Sequence, residues 1–102
     1  MKTIFHITAT IFDKRGMIIS RAVNSYHKTH TRQAFYAKRL GLHDKIFLHA
    51  EIAALVKCRS GVPYRIKIER YDKNGNPMLA KPCPICELAI KEAGIHVVEY
   101  TM

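Results

Sequence analysis

Cysteine, acidic side chains and long apolar runs are all scarce in this chain. Its 102 residues include only three cysteines, too few and odd in number for the disulfide framework of a small secreted domain. Acidic residues number 8 against 17 Lys and Arg, a net charge of +9, which draws polyanions and phosphorylated small molecules rather than cations. The basic residues are spread from Lys2 to Lys91 instead of forming one tract, so charge alone does not separate a nucleotide from a polynucleotide. No apolar segment approaches the roughly 20 residues that span a bilayer. The start, MKTIFHITATIF, carries His6 and three threonines and has no small-residue cleavage site, so it does not read as a signal peptide. A cytoplasmic protein is expected. Pro, Gly and Ser are too scattered for a linker, and no internal repeat or low-complexity tract is present. Residues 1–102 therefore read as one ordered domain with one modest core.

Within that domain, Thr3 to Phe12 alternates, with Phe5, Ile7, Ala9 and Ile11 on one side and His6, Thr8 and Thr10 on the other. This is the period of a strand with one apolar face, and the His6-x-Thr8-x-Thr10 side is expected to meet water. Asp13 to Gly16 predicts a hairpin turn into a second strand at Met17 to Val23. After a polar loop, Thr31 is the expected N-cap of a short helix through Leu40, stopped by Gly41, with Arg32, Lys38 and Arg39 on its exposed side. A second helix begins near Leu48, carries Ile52, Leu55 and Val56 inward, and ends before Gly61-Val62-Pro63. Tyr64 to Tyr71 alternates as a third strand, and Met78 to Ala80 extends the sheet briefly after a turn at Lys73 to Pro77. A third helix runs from Pro84 to Ala93, and Ile95 to Tyr100 forms the last strand.

Two short motifs carry chemistry. In PCPIC, Pro82 to Cys86, a C-x-x-C pair falls on the first turn of a helix, where unpaired backbone N–H groups and the dipole favour thiolate. In LHAEIAAL, Leu48 to Leu55, His49 sits at the start of another helix. Ligands of N, S and S type are what zinc takes in a catalytic site, with the fourth tetrahedral position kept for water. Glu51 is then explained as well, since a carboxylate beside that water can take its proton and deliver it to a ring nitrogen and a departing amine. Taken singly, the C-x-x-C could be a redox pair or half of a structural zinc site with Cys58 or His43 as fourth ligand. Both alternatives leave Glu51 and the helix-start placement unexplained. Cys58 otherwise reads as a small core residue on the inner face of its helix.

H-x-E followed by P-C-x-x-C is the signature of zinc deaminases, and His49-Ala50-Glu51 with Pro82-Cys83-Pro84-Ile85-Cys86 matches it term for term. The chain resembles the cytidine and deoxycytidylate deaminase superfamily, and PCPICELAIKEAGIHVVEY is most similar to its deoxycytidylate and tRNA-adenosine branch. The resemblance implies an α/β fold with a central mixed sheet and the two ligand-bearing helices side by side on one face. It implies Zn²⁺ held by His49, Cys83 and Cys86, Glu51 as the catalytic acid and base, and hydrolytic loss of an amine from a nucleobase. By the same similarity Asn24, at the end of the second strand, is assigned to substrate binding, and Ala50 lends its backbone to the pocket floor.

Many members of that superfamily continue past the strand that follows the C-x-x-C helix, so this chain is expected to be a minimal version without that C-terminal extension. One sheet face would then be short of cover, and a homo-oligomer is the expected remedy. The expected substrate is a cytosine nucleoside or nucleotide, with Lys28 or Arg32 holding a phosphate and His27 and His30 at the pocket rim. Cytosine or adenine in single-stranded DNA or RNA is the alternative, with Tyr26, Phe35 and Tyr36 available for stacking, although core packing is the stronger expectation for Phe35. A non-catalytic zinc-stabilised nucleic-acid-binding module is a third reading.

Overall fold

The computed structural model describes residues 7–24, 30–41 and 49–102. In chain order the elements are strands β1 (Ile7–Phe12) and β2 (Ile18–Val23), helices α1 (Thr31–Arg39) and α2 (Ala50–Lys57), strand β3 (Arg65–Arg70), helix α3 (Pro84–Glu92) and strand β4 (Val97–Tyr100). The order of strands and helices is the predicted one. The expectations for Lys28, His6, His27, His43 and Tyr26 fall outside the described residues.

The sheet is mixed, in the order β2-β1-β3-β4. β1 pairs antiparallel with β2 through the Asp13–Gly16 turn, and antiparallel with β3 on its other side. The turn is closed by the Asp13 carboxylate, which accepts from the backbone N–H of Arg15 and of Met17, both at 2.9 Å. β4 runs parallel to β3, an arrangement that requires a crossover, and α3 is that crossover.

Alternation in the strands sets which face is buried. Ala9 and Ile11 of β1 lie in register with Ala22 and Ser20 of β2 and with Ile68 and Ile66 of β3, and all six are buried. α2 packs across β1 and β2 on this face and also touches α3. Small side chains let it lie close: Ala50, Ala53 and Ala54 meet the sheet where it too carries alanines, and all join one core cluster. The approach is close enough for the Ser20 hydroxyl to donate to the carbonyl of Ala54 at 2.6 Å. That carbonyl lies in the last turn of α2, where helix carbonyls need partners from outside the regular ladder. Ile85, Cys86, Ala89 and Ile90 of α3 close the same cluster.

Several details depart from the sequence reading. Thr10, expected to face water, is only 5% exposed. It lies on the central strand between Arg21 and Lys67 in register, long neighbours whose aliphatic stems can cover a short hydroxyl. The N-cap of α1 is His30 rather than Thr31: its backbone is extended and its Nδ1 accepts from the N–H of Arg32 at 3.0 Å. Phe35, expected in the core, is 55% exposed, because the inward stripe of α1 is Gln33, Tyr36 and Ala37. Cys58 is the half-buried C-cap of α2, where the chain has already left helical geometry, and so does not lie on its inner face. Met78 to Ala80 adds no strand. Only a single bridge, Tyr71 with Pro77, follows β3, and the Ala80 N–H turns to the carbonyl of Thr101. Among the described residues, no helix is long and apolar enough to cross a membrane.

Candidate metal centre

Two helix N-termini meet at the site, and the local sequence starts each helix where it does. In α3, Pro84 stands at the first helical position, where its missing N–H costs nothing. A residue before proline is driven to extended geometry, and Cys83 has it, with φ −70° and ψ 167°, as an N-cap must. Cys86 then lies one turn further on the same helix end. In α2, His49 is the extended N-cap, and Ala50 and Glu51 open the first turn. Neither His49 nor Cys83 caps its helix with its own side chain. Both side chains are directed at each other instead.

The His49 Nδ1 lies 3.3 Å from the Cys86 sulfur and 3.4 Å from the Cys83 sulfur. The three ligand atoms are all within 4.8 Å of one another. Around a tetrahedral zinc with ordinary bond lengths, nitrogen and sulfur stand about 3.5 Å apart and two sulfurs about 3.8 Å. The trio therefore fits that ion in both donor chemistry and spacing. Among the described residues this is the one group of three or more such side chains close enough to hold a metal, and Cys58 is not part of it. A closed four-ligand structural site using Cys58 is thereby excluded.

Charge at the site follows from the geometry. The Cys83 sulfur accepts a hydrogen bond from the Cys86 thiol and another from His49, which outweighs desolvation and holds its pKa at about 4. Cys86 is pushed the other way, because it supplies the proton for Cys83, is buried, and lies near the carboxylate of Glu51. Glu51 is 5% exposed. Burial is the main cause of its raised pKa, opposed by a hydrogen bond from its own backbone N–H and by the neighbouring His49. A carboxyl group whose ionisation is disfavoured by burial holds a proton more readily than a free one, and beside a zinc-binding trio it is a candidate for proton transfer.

The structure thus brings His49, Ala50, Glu51, Cys83 and Cys86 together, with Ala50 fully buried. Asn24 follows β2, and its side-chain oxygen accepts from the N–H of Ile7 at 3.0 Å while its own N–H donates to the Ile7 carbonyl. It extends the β1–β2 ladder by one step. Arg32 is exposed on α1, and the Nδ1 of His30 is engaged in capping that helix. Gln33 was not anticipated. It is fully buried, and its side-chain oxygen accepts from the backbone N–H of His49 at 3.3 Å. The signal was present in the sequence: Gln33, Tyr36 and Ala37 form an i, i+3, i+4 stripe, and a glutamine on the buried stripe of a helix needs a partner.

Residues 2–102 match the family model for the cytidine and deoxycytidylate deaminase zinc-binding region. The chain belongs to that family, and among the described residues its architecture is a mixed four-stranded sheet with three helices. No curated protein matches the chain. The family and the His49, Cys83 and Cys86 trio together define a zinc-binding deaminase domain, whose substrates are nucleosides, nucleotides or nucleic acids.

Proposed function

We propose that this protein is a zinc-dependent hydrolase that converts cytosine to uracil in a cytidine or deoxycytidine nucleoside or nucleotide, in the manner of a deoxycytidylate deaminase. The observation that carries the reading is Glu51, a buried carboxyl group two residues from His49 on the helix end that faces Cys83 and Cys86. Zinc held by His49, Cys83 and Cys86 supplies a Lewis acid that makes hydroxide available from water near neutral pH. Glu51 accepts the proton of the attacking water as its oxygen adds to C4, and passes that proton to N3 of the ring. It then carries the second proton to the departing amine. The C4–N bond breaks, ammonia leaves, and uracil remains. Asn24 and the Ala50 backbone hold the sugar and base, and Lys28 a phosphate.

One observation favours a second substrate class. Phe35 is exposed and has the Arg39 guanidinium 5.4 Å from its ring centre, an arrangement on which an unpaired base of DNA or RNA, cytosine or adenine, can stack. The protein would act as one cytoplasmic domain, self-associated where the sheet lacks cover. Incubation with dCMP, cytidine and cytosine- or adenine-containing oligonucleotides, followed by uracil or hypoxanthine formation, tests these readings together. Uracil from dCMP with the oligonucleotides unchanged is the expected result. Turnover of oligonucleotide alone would transfer the assignment to the polynucleotide. No turnover of any substrate by zinc-loaded protein would leave a non-catalytic zinc-stabilised module.

A further inference from the structure

A helix N-cap commonly has its own N–H satisfied from inside the helix, by a Glu or Gln at the third helical position reaching back. In α2 that third position is Ile52, fully buried and unable to accept. The His49 side chain offers no capping bond either, because its Nδ1 faces the two sulfurs. The missing arm comes from elsewhere in the chain. Gln33, on α1 and 16 residues earlier, places its oxygen 3.3 Å from the His49 nitrogen. α1 is in turn held to α3, the helix with the cysteines, by packing and by the 2.6 Å Arg39–Glu92 ion pair.

We propose that Gln33 is a positioning residue for the metal centre: by accepting the backbone N–H of His49, it fixes the start of α2 so that the imidazole Nδ1 is aimed at Cys83 and Cys86. The inference rests on His49 being a zinc ligand. It adds that α1 sets the aim of that ligand although it contributes no donor atom to the trio. An imidazole that swings by a fraction of an ångström weakens the ligand field before it is lost, and residues that orient ligands typically contribute 10–100-fold to metal affinity.

The experiment compares the full-length parent with Gln33→Met, which keeps side-chain length but has no acceptor, and Gln33→Glu, which keeps the acceptor oxygen. Zinc affinity is measured by competition with a chromophoric chelator, and ligand geometry by the visible spectrum of the cobalt(II)-loaded protein. Gln33→Met is expected to bind zinc about 10-fold or more weakly and to show an altered cobalt spectrum, while Gln33→Glu stays close to the parent in both. Parent-like zinc binding by Gln33→Met overturns the proposal, as does equal loss in both variants, which would assign the effect to packing. Should Gln33→Met fail to fold, amide hydrogen exchange of the parent decides: His49 N–H protected like the interior of α2 supports the proposal, and exchange at the rate of a loop amide overturns it. A parent that binds no zinc at all would remove the ligand assignment itself, a result distinct from any of these.

Discussion

The Nδ1 of His49 and the sulfur of Cys86 stand 3.3 Å apart although 37 residues separate them in the chain. Each lies at the N-terminal end of a different helix, and the packing of α2 against α3 brings the two ends together. The chemistry assigned to the site, and most of its testable consequences, follow from that contact and from what lies beside it.

Replacing Glu51 by glutamine keeps the shape and removes the proposed proton carrier. Turnover of the zinc-loaded protein should fall by about 10²–10⁴-fold, the usual contribution of a positioned acid or base, with zinc content by atomic absorption unchanged. Stability gives a second readout. Burial raises the pKa of Glu51 from 4.5, so its ionisation opposes folding as pH rises above that value and not below it. Metal-free Glu51→Gln should therefore gain stability relative to the parent at pH 7 and not at pH 4, as measured by urea unfolding.

For Cys83 the sign is opposite. Its folded pKa lies at about 4 against an ordinary 9.0, so the unfolded chain binds a proton there that the folded chain does not. That contribution to stability is complete above pH 9 and is lost as pH falls towards 4. Urea unfolding of the metal-free protein at pH 5 and pH 8 should show a rise with pH that Cys83→Ser abolishes. Because both sulfurs bind zinc as thiolates, zinc binding at pH 7 should release protons, read by calorimetry in buffers of different ionisation enthalpy.

Away from the site, Ser20→Ala removes the donor that satisfies the Ala54 carbonyl. A buried hydrogen bond of this kind is worth about 1–2 kcal/mol, and thermal unfolding should register that loss.

Gly61, in the turn between α2 and β3, has φ +78°, and an added Cβ would come within 3.1 Å of the Ile19 side chain. Gly61→Ala should destabilise by about 1–2 kcal/mol, from left-handed backbone strain with some crowding, and leave zinc stoichiometry unaltered.

Local signals made the fold readable wherever they agreed with the tertiary environment. The turn at Asp13–Gly16, Pro84 at a helix start and the glycines after the helices all punctuate the chain where the structure does. The metal trio was legible because zinc imposes its own residue types and spacing, as His49, Cys83 and Cys86 display. What escaped depended on neighbours distant in sequence. Thr10 is covered because β1 is central, a matter of strand order that alternation does not encode. Phe35 lies outside because Gln33, a polar residue, takes the inward position that a hydrophobicity pattern would give to an aromatic ring. Gln33 itself acquires meaning only once α1 is seen beside the start of α2.

An ion bound at once to position 49 and to positions 83 and 86 would close a ring of chain around β3 and the turns on either side of it. Chelation would then loosen the protein from the middle of its sequence, and a protease added to the stripped form would cut first in the connections before and after β3, at 58–64 or 72–82, with the β1–β2 hairpin outlasting them.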